Sequence, residues 1–248
     1  LLLVFRTNTG YFRWNEARTL WGGVINTCRN VVRQSNQYFP ASAEGDQLRT
    51  RLMANTAAYS KALRNFLRGP NDDAVLKGDL YELAVEGKIS GPQADACMAA
   101  SNRPMFCLNA MSAVVREAEL DQVDKARLDA SITKLVDLTG ACERIFKSPI
   151  PLVYTRHSSR FLTFFNILLP LGIWPAMGEY WNHWVTLPTS VAIALFLFGI
   201  EEIGVQIEEP FSILPIEAFC NGAITAHMAE MNKYDNLKVI DSPIVRGR

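Results

Sequence analysis

The sequence predicts an all-α, membrane-embedded helical bundle with a large helical domain on one side of the bilayer, and three observations carry that expectation. Residues 161–178 contain no charged side chain, and after Glu179 the run from Tyr180 to Ile200 contains none until Glu201. Each run approaches the ~20 residues with which a helix crosses a ~30 Å hydrocarbon core. Trp174, Tyr180, Trp181 and Trp184 gather around the turn between the runs, where an interfacial aromatic belt belongs. Outside this hairpin, apolar residues recur at helical spacing with charge on the opposite face.

Composition places the apolar surplus locally. The 248 residues carry 25 basic and 25 acidic side chains, so no net charge draws the chain to nucleic acid. The surplus sits at residues 1–5 and 161–200, and the remainder resembles a soluble helical protein. The five cysteines, Cys28, Cys97, Cys107, Cys142 and Cys220, are odd in number and lack CxxC spacing. That pattern argues against a disulfide framework or a zinc site and for reduced, mostly buried thiols. The chain opens at LLLVFRTN, an apolar segment that reads as the tail of a longer helix whose N-terminal part is expected to precede residue 1.

Taken in order, Leu1 to Phe5 is apolar, and Arg6, Thr7 and Asn8 mark its meeting with polar surroundings. Tyr11 to Val32 continues in helical style; Gly10, Gly22 and Gly23 each cost ~1 kcal/mol inside a helix and so imply close backbone packing or a bend. Ala41 to Leu67 is the next helix, ended by the turn Gly69-Pro70-Asn71-Asp72-Asp73. Short helices follow at Val75–Glu86 and Gln93–Ala100, then Pro104, as a first helical residue, opens one to about Glu119. Leu120 to Phe146 shows apolar residues at spacings of three to five. Pro149 and Pro151 then impose an extended turn. Pro170, Pro175 and Pro188 interrupt the apolar hairpin, a defect that membrane helices tolerate. From Asn232 onward the tail is polar, ends without a helix signal and is expected to wrap over a neighbour or fray.

Catalytic signatures are absent. No GxxxxGK, GxGxxG or GxSxG occurs, and with only His157, His183 and His227 a Ser or Cys nucleophile has few bases. The acidic set Glu201, Glu202, Glu208, Glu209 and Glu217 includes carboxylates seven apart, which share a helix face. A di-iron bundle needs Glu-x-x-His pairs, and none is present, so ion pairing at the surface or between subunits is the favoured reading. A carboxylate metalloenzyme using Glu201, Glu208 or Glu209 stays open as a rival, as does a membrane-attached helical scaffold.

Three stretches carry a family resemblance: FRTNTGYFRWNEARTLWG (5–22), CERIFKSPIPLVYTRHSSRFLTFF (142–165) and EEIGVQIEEPFSILPIEAFCN (201–221). Together they resemble the signature regions of the bestrophin anion channels, and in detail the plant thylakoid branch of that family. The resemblance implies an all-helical homopentamer around a central pore, embedded in lipid and conducting chloride and other small anions, with no enzymatic activity, cofactor or nucleic-acid partner. Placed on this chain, the family pattern makes residues 1–5 the end of the pore-lining helix, with Leu1 and Phe5 in its hydrophobic neck and the first family span expected before residue 1. Residues 6–155 become a stromal or cytosolic helical domain that includes the SPIP turn, whose Ile150 matches the second constriction, or aperture. Residues 156–203 become the transmembrane hairpin, and 204–248 a C-terminal helix and tail.

The resemblance further implies a thylakoid location with the bulk of the chain on the stromal side, and charge balancing against the proton motive force. A bicarbonate conduit is the nearest alternative. The acidic run that holds calcium in animal bestrophins is replaced here by SILPIE, which argues against calcium activation. An apolar ring cannot replace an ion's water, so such a neck sorts anions by how weakly they are hydrated.

Overall fold

All regular structure is helical in the computed structural model, which describes residues 2–177 and 184–236. Helix α1, Leu2–Tyr38, is continuous over 37 residues, and close packing explains two of its glycines, Gly10 and Gly23. A Cβ on Gly10 would stand 2.6 Å from Ile207 Cγ1, and one on Gly23 would stand 2.9 Å from Leu138 Cδ2. Two compact units divide the chain: Leu1–Arg18 with Ile145–Leu214, and Thr19–Arg144 with Pro215–Arg248.

In the second unit, α2 (Ala43–Arg68) is the central element. The Ser42 side chain accepts a hydrogen bond from Gly45 N at 3.0 Å, and Glu44 and Asp46 occupy the positive N-terminal turn. Every residue from Leu52 to Asn65 is buried, so this helix lacks a solvated face along most of its length. Its buried polar groups are therefore paired. Arg64 donates to Asp72 at 2.9 Å and to Asp79 at 3.0 Å, Lys61 donates to Asp79 at 2.9 Å, and the Tyr59 and Thr139 hydroxyls lie 2.8 Å apart. Gly69 ends α2 at φ 77°, a left-handed conformation open to glycine without strain.

Helices α3 (Asp73–Val85), α4 (Gly91–Ala99) and α5 (Arg103–Glu117) follow, with α5 packed along α2. Helix α4 starts two residues before the expected Gln93 because Ser90 caps it, accepting from Gln93 N, and Pro92 fits the first turn. Helix α6 spans Gln122–Lys147.

In the first unit, α7 (Leu152–Ile173) and α8 (Thr186–Glu208) pack together. Helix α8 continues through residue 203, the expected end of the hairpin, to Glu208, and is the one described helix long and apolar enough to cross a membrane. In α7 the uncharged part is shorter. Arg156 and Arg160 occupy its early turns, leaving Phe161 to Ile173, or ~20 Å of helix. The run then passes into a 3-10 turn at Pro175–Met177, while Tyr180, Trp181 and His183 lie outside the described residues.

After α8 come the short helices α9 (Pro210–Ile213) and α10 (Ile216–Ala218), then a π-helical segment, Phe219–Ala226, that leads into α11 (His227–Asn236). Helix α11 thus runs past Asn232 into the first residues of the polar tail. Cys220 donates from this π-helical segment to Ser60 O of α2 at 3.4 Å, and Ala223 O accepts from Arg29 Nε at 2.9 Å.

Candidate functional site

Phe5 and Arg6 are neighbours on α1 with opposite environments. Phe5 is 56% exposed and Arg6 only 1%. The guanidinium donates from Nη1 to Glu201 Oε1 at 2.9 Å and from Nε to Glu208 Oε1 at 3.2 Å. Those carboxylates, seven residues apart on α8, face the same way and converge on one cation. A Cβ placed on Gly204, between them in sequence, would lie 3.8 Å from Arg6 Cγ, and Gly10 meets Ile207 one turn further along α1. The missing side chain at Gly10 lets the two helices approach closely, and Gly204 lies in ordinary contact with the Arg6 side chain. Helix geometry then fixes Phe5, about 100° around the axis from Arg6, away from that contact.

A second guanidinium organises the SPIP turn. Arg13 donates to Ile145 O and Ser148 O, both at 2.8 Å, and to Glu208 O at 3.3 Å. These are carbonyls at the C-terminal ends of α6 and α8, where helices leave acceptors without partners and carry partial negative charge. One cation therefore caps two helices. It also fixes the start of the Ser148–Pro151 connection, in which Ile150 is half-buried between two exposed prolines. Arg13 lies eight residues beyond Phe5, about 12 Å along α1, so the helix carrying Phe5 also positions the turn carrying Ile150. Leu1 lies outside the described residues.

Three members of the acidic set form ion pairs and a fourth accepts from an amide. Glu201 and Glu208 bind Arg6, Glu217 binds Arg68 at 2.9 Å, and Glu202 accepts from Gln206 at 3.2 Å. The ion-pairing reading holds within the chain, but the Arg6 pair is buried where a surface or intersubunit contact was expected. Among the described residues, no group of three or more His, Cys, Asp or Glu side chains is placed to hold a metal ion.

The family sequence model described as Bacterial/Fungal Bestrophin protein matches residues 1–229. The chain belongs to the bestrophin family. It is thus a membrane protein of a channel family and not an enzyme. This bestrophin is 33% identical over 221 residues to the chloroplastic voltage-dependent chloride channel 1 of Arabidopsis thaliana, covering 89% of this chain and 51% of that one. It is 31% identical over 234 residues to a voltage-dependent anion channel-forming protein of Synechocystis sp., covering 89% and 70%. The chain spans about half the length of the Arabidopsis relatives. Its all-α fold superimposes on a bacterial bestrophin homologue from Klebsiella pneumoniae with a TM-score of 0.79 at 25% identity, over 94% of this chain and 82% of that one.

Sequence reasoning missed both arginines. Arg6 looked like the edge of an apolar segment, and Arg13 like one polar residue among many. The available signal was the seven-residue spacing of Glu201 and Glu208, which implied a shared partner without naming it.

Proposed function

We propose that five copies of this bestrophin surround one axis and form a passive, voltage-dependent anion channel that conducts chloride across a thylakoid membrane and offsets the charge moved by proton pumping. The observation that carries this reading is the opposed pair Phe5 and Arg6: an exposed aromatic on a helix whose rotation is set by a buried charge cluster. Five such helices would present a ring of Phe5 side chains, with Leu1 one turn earlier forming the next ring. Apolar walls offer no substitute for hydration, so a narrow ring dewets and admits weakly hydrated anions most readily. Phenyl edges carry partial positive charge and favour an anion passing edge-on. Ile150, presented by the proline-bounded turn, forms a second constriction, and residues 156–203 provide the membrane hairpin. The chloroplastic chloride channel of Arabidopsis supports chloride as the permeant ion and a chloroplast location, and the Synechocystis relative, an anion channel-forming protein, supports anion conduction.

Recordings from the purified chain in planar bilayers under a chloride gradient test the proposal. Wild type should show anion-selective currents, with reversal potentials in mixed chloride and bicarbonate favouring chloride. Phe5→Ala should widen the neck and change rectification or selectivity, and Ile150→Ala should flatten relative permeability across anions of increasing size. Silent bilayers at protein densities that give visible assemblies would instead identify a scaffold, and unaltered Phe5→Ala currents would take that residue out of the neck.

A further inference from the structure

The Cys97 and Cys107 sulfurs lie 3.7 Å apart, each thiol buried to 2% exposure. They come from successive helices: Cys97 from the last turn of α4, Cys107 from the first turns of α5. Arg103, the first residue of α5, has its guanidinium held by Asp73 and Asn65. The hydrogen bond shared with Cys107 and the nearby Arg103 charge bring the Cys97 thiol below its ordinary range, while the same contact and burial push Cys107 well above. Two sulfurs in contact, with a guanidinium near one of them, are the arrangement of an attacking and a resolving cysteine. Cys28 and Cys220, by contrast, are both raised by burial.

We propose that Cys97 and Cys107 form a redox modification site that hydrogen peroxide closes to a disulfide, joining α4 to α5. The Cys97 thiolate attacks one peroxide oxygen and the O–O bond breaks, giving a sulfenic acid and hydroxide. The hydroxide takes up the proton that Cys97 released, forming the first water. Cys107 sulfur then attacks the sulfenic sulfur; the S–O bond breaks, and its oxygen leaves as the second water with the Cys107 proton. Two thiols lose two electrons in all, and one peroxide becomes two waters. Closure requires the sulfurs to approach by ~1.7 Å to reach bonding distance. That lies within reach of side-chain rotation and a small shift of α4, a helix of 9 residues. Local opening of such a short helix also gives a small oxidant its route in.

The full chain in detergent is treated with hydrogen peroxide or with dithiothreitol, then denatured, alkylated and digested with trypsin. Trypsin does not cut Arg103–Pro104, so both thiols remain in the peptide Ile89–Arg116. The peroxide sample should yield this peptide unalkylated and about 2 Da lighter than the free dithiol, the loss of two hydrogens. Dithiothreitol should restore double alkylation, and Cys28, Cys142 and Cys220 should remain alkylatable throughout. In Cys107→Ala, dimedone should trap sulfenic acid on Cys97. The proposal is overturned if the native peptide stays doubly alkylated while its Met98 gains oxygen. It is also overturned if the other three cysteines oxidise as fast as this pair.

Discussion

At the scale of single residues, Arg6 decides how α1 faces its surroundings. Its cluster holds one cation and two carboxylates, so removing the cation leaves two negative charges in a buried site, whereas removing one carboxylate leaves a neutral pair. Breaking a buried pair from one side costs ~3–5 kcal/mol, and each kcal/mol lowers the melting temperature of a chain of this size by ~2–4 °C. Arg6→Met should therefore lower the melting temperature in detergent by roughly 10 °C. Glu201→Gln, which can still accept from the guanidinium, should cost much less, and equal losses in the two variants would contradict the charge argument. The carboxylate spacing was legible in the sequence. Its partner was not, because Arg6 is 195 positions from Glu201 and a spacing rule reaches only along one helix.

Among elements, most helices were legible because their ends are written in local chemistry. Ser42, Ser90 and Asn102 cap α2, α4 and α5, and Gly69 breaks the chain after α2. The meaning of helix-interior glycines was less accessible, since a bend and a close approach leave the same mark in sequence. Gly10 and Gly78 separate the cases. A Cβ at Gly10 would press on Ile207, whereas one at Gly78 in α3 meets nothing within 4 Å. Gly78→Ala should raise stability by up to ~1 kcal/mol through helix propensity alone. Gly10→Ala should lower it by ~1–3 kcal/mol, as overpacking does, and adding Ile207→Ala should recover part of that loss, a coupling that a double-mutant cycle of thermal melts would measure.

For the whole molecule, composition identified the apolar hairpin but not the grouping of the chain, because α1 and α6 each contribute residues to both compact units. No linear boundary could report that. The same contrast shows in burial. Around α2 the apolar side chains are enclosed, while on α7 and α8 Phe164 and Leu195, each 68% exposed, belong to a series that includes Leu171, Leu187 and Phe196. Water would oppose so much bare hydrocarbon along two packed helices; lipid would accept it. Leu195 lies midway along the uncharged part of α8, where an arginine costs ~2.5–3.5 kcal/mol in the translocon scale. Leu195→Arg should thus sharply reduce the fraction of protein that stays in membranes through an alkaline carbonate wash, while Val85→Arg, on the exposed end of α3, should leave it unchanged. If both variants partition like wild type, α8 does not face hydrocarbon at Leu195, and its exposed side chains meet protein or water instead.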